Sequence, residues 1–146
     1  MSDTDFLEAI NWIIDNLEGS GVLLKDADGY TKYGINSKAH PGVNVPYLTR
    51  EQAIELYQWY RQQSHFDDYP IKKGIMFLDA YINMCPKYAD QLIKSTKDIK
   101  AEIFLDIFTL AKVFSYLAIV NRNPTRVNLR GWLNRCKKLY DYVGPL

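Results

Sequence analysis

The chain has 146 residues, 47% of them hydrophobic and 24% charged, a length and balance that suit one globular domain and exclude a disordered polymer. Its net charge of +1 excludes a strong overall attraction to nucleic acid or to an anionic membrane.

In chain order, the first helix is expected to start at residues 3–5 and to end near Leu17. Phe6, Ile10, Ile13, Ile14 and Leu17 recur on one face, and Asp5 with Glu8 resembles a capping box. Gly19 and Gly21 stop it, because glycine readily takes the left-handed backbone that ends a helix. Residues 22–45 lose the helical period. Val22 to Leu24, the turn Asp26-Ala27-Asp28-Gly29 and the run Tyr30 to Ile35 predict a small hairpin or β-lobe. Thr49-Arg50-Glu51-Gln52 is a second capping box, and Ala53, Leu56, Tyr57 and Tyr60 follow it on one face. Pro70 suits the first turn of a third helix striped by Ile71, Ile75, Leu78 and Ile82, and Pro86 opens a short helix through Ile93. Residues 98–120 read as a long helix apolar on nearly every side, expected to be the buried central element. Asp106, Thr109, Lys112 and Ser115 interrupt it and argue against a membrane span. Asn123-Pro124 is expected to start the last helix, which carries Leu129, Leu133, Cys136, Leu139 and Tyr140 and ends before Gly144-Pro145.

Chemistry is sparse outside residues 16–36. Cys85 and Cys136 lack a CxxC spacing and are expected as free, buried thiols. His40 and His65 lie far apart with no ligand-like partners, so no metal is expected. Glu18 is different. It sits at a helix end, where the dipole disfavours a carboxylate by about 0.3–1 kcal/mol when exposed, and a turn-rich polar stretch follows. Glycosidic cleavage needs an acid to protonate the leaving oxygen and a second group across the sugar. A glutamate beside apolar side chains can hold a proton for the first task. Asp26, Asp28 or Thr31 could supply the second, an aspartate by activating water or stabilising charge, a threonine by positioning the water.

The order of these pieces resembles the phage-type lysozymes, and more closely glycoside hydrolase family 108, the phage and bacterial N-acetylmuramidases. The family signature E-G-G, then D-x-G-G-x-T-x-x-G-I, is matched by Glu18-Gly19-Ser20 and by Asp26-Ala27-Asp28-Gly29-Tyr30-Thr31-Lys32-Tyr33-Gly34-Ile35. Tyr57-Gln58-Trp59-Tyr60 is similar to a Y-x-x-Y element. Leu78-Asp79-Ala80-Tyr81-Ile82-Asn83 is similar to F-D-x-x-x-N, and Gly131-Trp132-Leu133-Asn134-Arg135 matches G-W-L-N-R. Ser20 and Asp28 stand where the pattern has glycine, and residues 88–101 look shorter than usual.

The resemblance implies a single, mainly α, lysozyme-like domain over residues 1–146, with a small β-lobe near residues 19–45 and a long buried central helix. It implies a peptidoglycan hydrolase, an endolysin or virion-associated lysozyme, that cuts the β-1,4 bond between N-acetylmuramic acid and N-acetylglucosamine without a cofactor. Glu18 would be the general acid, and Asp26 and Thr31 would hold the water or stabilise the transition state. Asp28, Tyr30, Tyr33, Asp79 and Asn83 would meet the substrate. The partners implied are peptidoglycan glycan strands and other virion or holin-system proteins, with no nucleic acid and no integral membrane segment. The N-terminus lacks a signal-peptide pattern, so the protein is expected to be made in the cytoplasm. It would reach the periplasm or cell wall through a virion, a holin lesion or a secretion machine.

Structural roles compete with each of these. Asp26 and Asp28 also suit turns, and Thr31 suits a strand. Tyr57 and Tyr60 follow an apolar stripe and suit the core. Asp79 and Asn83 could bond each other or a helix end, while Trp132 and Arg135 suit packing and the surface. Two further readings stand beside the hydrolase: a non-catalytic structural or binding module of a phage tail, and a lytic transglycosylase that uses Glu18 alone.

Overall fold

A computed structural model describes residues 2–123 and 128–146. The chain is mainly helical, with one small antiparallel sheet. Its elements are α1 (Asp3–Leu17), β1 (Leu24–Asp26), β2 (Gly29–Lys32), β3 (Ile35–Asn36), α2 (Arg50–Gln63), α3 (Ile71–Asn83), α4 (Pro86–Thr96), α5 (Ala101–Arg122) and α6 (Leu129–Val143). They fall into two compact units, Ser2–Gln62 and Gln63–Leu146.

In the first unit, α1 starts one turn before the Asp5–Glu8 pair. Ser2 is the cap: its hydroxyl accepts from the Asp5 N–H at 3.2 Å, and the Asp5 carboxylate accepts from the Ser2 N–H at 2.9 Å. The shorter Asp5 returns the bond as a glutamate would. Phe6, Ala9, Ile10, Ile13 and Ile14 form the buried face of α1. The sheet runs in the order β1-β2-β3, with Leu24 opposite Thr31 and Lys32 opposite Ile35. The predicted box at the start of α2 forms: the Thr49 hydroxyl accepts from the Gln52 N–H at 3.2 Å, and the Gln52 side chain accepts from the Thr49 N–H at 3.0 Å. Arg50 then reaches α1, donating to Asn11 at 2.9 Å and to Asp15 at 2.5 Å. Farther along α2, Arg61 lies 4.7 Å over the Phe6 ring.

In the second unit, α3 is the element buried on every side, from Gly74 through Tyr81 without a break. This corrects the expectation for the longer apolar helix. α5 buries one stripe only, Phe104, Phe108, Lys112 and Tyr116. Ile103, Ile107, Leu110, Phe114 and Leu117 on it are exposed. By length and composition α5 could cross a membrane, and 22% of its apolar stretch is buried. The inner stripe meets α3 through Phe77, whose ring centroid lies 5.6 Å from that of Phe104 and 5.5 Å from that of Phe108. Tyr116 stacks on Trp132 of α6 at 4.8 Å.

Asp79 sits at the centre of this unit with no exposed surface, bonded to Lys112 of α5 and to Arg135 of α6 at 2.7 Å. Burial alone would raise its carboxyl pKa, but the two cations and their hydrogen bonds hold it below the ordinary value. Arg135, expected at the surface, is therefore buried because its charge is needed there. Cys136 is buried, whereas Cys85, also expected inside, is exposed in front of Pro86, the first residue of α4. Asn123 ends α5, and Asn128 caps α6 by accepting from the Gly131 N–H at 3.1 Å. Pro124, expected in the first turn of α6, lies outside the described residues.

Candidate functional site

Glu18 is the C-cap of α1, half-buried, with its N–H donating to the Ile13 carbonyl at 3.1 Å. The chain then turns away through three consecutive left-handed residues, Gly19, Ser20 and Gly21 (φ 76°, 49° and 84°). Ser20 occupies this backbone at a cost of about 1 kcal/mol or more for a residue with a side chain. Its hydroxyl donates to the Asp15 carboxylate at 2.7 Å, which offsets part of that cost. Asp15 is held below the ordinary carboxylate range by the hydrogen bond from Arg50 and then by that from Ser20. Serine at position 20 is thus accommodated locally.

Gly34 explains the position of the Glu18 side chain. With Tyr33 it makes the two-residue turn between β2 and β3, both residues having positive φ (52° and 78°). A Cβ on Gly34 would come within 2.8 Å of Glu18 Oε2 and would collide with the Tyr57 hydroxyl. The carboxylate and this hydroxyl therefore converge on one bare backbone position. The hydroxyl donates to the Tyr33 carbonyl at 2.8 Å. The Tyr57 ring packs on Tyr60 at 5.5 Å, and the Tyr60 hydroxyl meets His40 Nε2 at 3.3 Å. Burial, and after it the charge of Glu18, pushes the Tyr60 hydroxyl pKa up, while burial pushes His40 down, towards its neutral form.

The sheet distributes the other predicted residues. Thr31 is central in β2, and its Oγ1 accepts from Asn36 Nδ2 at 3.1 Å. The Asn36 side-chain oxygen Oδ1 accepts from the N–H groups of Lys38 and Ala39, at 2.8 and 3.3 Å, so the amide nitrogen is the end turned to Thr31. Asp26 and Asp28 lie at the exposed hairpin tip. The Asp26 carboxylate accepts from the Asp28 N–H at 2.8 Å, a turn-forming bond, and Asp28 pairs with Lys38 at 3.3 Å. The Tyr30 N–H donates to the Ser37 hydroxyl at 3.0 Å, and Lys25 lies 5.5 Å over its ring. Tyr33 packs where a Cβ on Gly21 would come within 2.7 Å of its ring, with Lys32 and Arg50 over the ring at 5.5 and 5.6 Å. It braces the turn after Glu18.

Asp79 and Asn83 belong to the other unit. Asp79 is enclosed by its two cations and does not line an open cleft, since a carboxylate that balances two buried charges has no surface left to offer. Asn83 accepts from the Tyr116 hydroxyl at 2.5 Å. Neither residue bonds the other as the i, i+4 spacing allowed. Among the described residues, no three His, Cys, Asp or Glu side chains gather as a metal ion would require. The chain matches no protein-family model, no curated protein and no solved structure.

The neighbours that sequence reasoning missed are Gly34, Tyr57 as a hydroxyl, Tyr60 and His40. The glycine of the G-I pair was a signal for the first. Tyr57 and Tyr60 were marked by the Y-x-x-Y likeness but read as core from their apolar stripe, and nothing in the sequence placed His40 beside them. The arrangement can offer a proton from a half-buried carboxyl beside aromatic faces and hydroxyls, with a fixed threonine hydroxyl on the adjoining sheet.

Proposed function

We propose that this chain is a peptidoglycan hydrolase, an N-acetylmuramidase that cleaves the β-1,4 bond between N-acetylmuramic acid and N-acetylglucosamine, with Glu18 as general acid. The observation that carries the reading is the setting of Glu18: half-buried at the end of α1, its carboxylate against Gly34 and beside the Tyr57 hydroxyl. Closing the helix there with left-handed residues aims the acid at the sheet, and the motif residues that follow build that sheet. Thr31 is the favoured partner. Because its oxygen accepts from Asn36, its own hydrogen points elsewhere and can orient a water. On this reading the enzyme is a bacteriophage endolysin or virion lysozyme acting on glycan strands in the periplasm or cell wall.

The test is digestion of purified peptidoglycan by the wild type and by Glu18→Gln, with the products identified by mass spectrometry. The wild type is expected to release fragments with a reducing-end muramic acid. The variant should lose roughly 10²–10⁴-fold in rate, the usual worth of a positioned acid. No release by the wild type would overturn the enzymatic reading. A second reading, the lytic transglycosylase, draws on Asp26, whose carboxylate accepts a bond within its own turn. That reaction needs Glu18 alone and would leave an anhydro sugar in place of the reducing end.

A further inference from the structure

α5 carries two opposed stripes. The inner one, Phe104, Phe108, Lys112 and Tyr116, advances four residues at a time and is buried. The outer one runs Ile103, Ile107, Leu110, Phe114 and Leu117, spaced by four, three, four and three residues. These side chains are between 37% and 60% exposed. At about 100° per residue, all of them fall within an arc of about 80°. An average spacing of about 3.5 residues on so narrow an arc is the seam along which two helices pack side by side. Ala111 and Ala118 border the seam, and their small side chains allow a second helix to come close.

Area, symmetry and charge favour a second copy of this chain as the occupant. The outer stripe leaves roughly 500 Å² of apolar surface in water, near the top of the range for the largest patch on a monomer. Two such patches pressed together cover about 1,000 Å², the lower limit of a specific interface. The exposed Tyr140 ring, held to Asp106 at 2.6 Å, adds to its edge. The spacings also read the same from either end. Turned about a two-fold axis between Leu110 and Phe114, the seam sets Leu110 against Phe114 and Ile107 against Leu117. Ile103 then meets Asn121, the next residue of the same spacing. Glu102 and Asp106 are exposed at the N-terminal end of α5, and Arg122 at its C-terminal end. An antiparallel pair puts Glu102 of one copy beside Arg122 of the other, whereas a parallel pair brings like charges together. The same two carboxylates beside the seam disfavour an anionic membrane, whose surface would repel them.

We propose that the outer face of α5 is a self-association surface, on which two copies pair through antiparallel α5 helices as a reversible dimer. The inference is independent of Glu18, which belongs to the other unit. An interface of minimum size gives modest affinity, with Kd on the order of 10 μM. Dilute protein is then monomeric, with the seam in water. Sedimentation equilibrium of the full chain from about 1 μM to about 1 mM, a range that brackets this Kd, should show the mass rise from 17.0 kDa towards twice that value. Phe114→Ser is expected to weaken association about tenfold or more and to leave the circular dichroism of the monomer unchanged. Direction is read with a spin label on Glu102→Cys, after the exposed Cys85 is replaced by serine. The labels of an antiparallel pair should lie about 30 Å apart, the helical rise from residue 102 to residue 122, against roughly 10–20 Å for a parallel pair.

A mass of one chain at every concentration would overturn the proposal. So would association that Phe114→Ser leaves unchanged, or labels lying close together. Binding of the dilute protein to vesicles of anionic phospholipid, without self-association in solution, would assign the face to a membrane instead. Where Phe114→Ser does not fold, the wild type decides: amide chemical shifts that move with protein concentration should fall within residues 103–121, and movement confined to other residues would overturn the seam.

Discussion

Gly34 is the residue on which the site turns. Its positive φ, the lack of room for a Cβ, and its contact with both Glu18 and Tyr57 make three separate demands for glycine at one position. Gly34→Ala is expected to destabilise the protein by about 1–3 kcal/mol through backbone strain. If Glu18 is the acid of the proposed hydrolase, the change should also reduce peptidoglycan hydrolysis, because the new methyl displaces the carboxylate or the hydroxyl. Urea denaturation monitored beside activity separates the two effects: activity should fall under conditions where the variant is still fully folded. Full activity in a destabilised variant would mean that the Gly34 contact does not position Glu18. Ser20 makes a related point. A side chain held in left-handed backbone is matched by the bond from its hydroxyl to Asp15.

Among the elements, α5 shows that apolar character and burial are different properties. Its inner stripe enters the aromatic cluster with Phe77, and its outer residues face water. Two phenylalanines on the same helix should therefore behave oppositely. Phe108→Ala opens a cavity and is expected to cost about 3–5 kcal/mol. Phe114→Ser removes a side chain that is 60% exposed and should change stability by no more than about 0.5 kcal/mol. Chemical denaturation of both variants at one temperature checks the contrast. Similar losses in the two would mean that the outer face of α5 is covered in solution.

Across the whole molecule, acid neutralises the 17 Asp and Glu carboxylates and leaves 18 Lys and Arg positive, so acid sensitivity combines general repulsion with the loss of particular ion pairs. Asp79 joins α3, α5 and α6 through Lys112 and Arg135. Its folded pKa lies below the ordinary 3.8, so the unfolded chain takes up the proton first. The stabilisation is complete above that value and is lost as pH falls through the lower, folded pKa. Asp79→Asn leaves two buried cations without their counter-charge and is expected to cost roughly 3–5 kcal/mol at neutral pH. It should also flatten the fall in melting temperature at acid pH. A pH series of thermal melts on both proteins measures this, and an unchanged acid limb in the variant would assign the acid sensitivity to other groups.

The sequence by itself determined most of the helices and the first hairpin, though not the Tyr33-Gly34 turn that splits the run from Tyr30 to Ile35 or the start of α6 at Leu129. The box at Thr49 and Gln52, the proline before α3 and the one that opens α4, the glycines after Glu18 and the Asp-Gly turn all act within a few residues, and each formed near its predicted place. It also singled out Glu18, because a carboxylate at the wrong end of a helix is a local anomaly. The tertiary structure alone decided which helix is buried. Hydropathy measures how much a face would gain from cover, but cover must come from surfaces distant in the chain. Only there did α3 find partners all round, while α5 found them on one side. The same reason hid the fate of Asp79, whose cations lie 33 and 56 residues away. It also hid the joining of Glu18 to Gly34, Tyr57 and Tyr60, residues carried by separate elements and brought together only by packing.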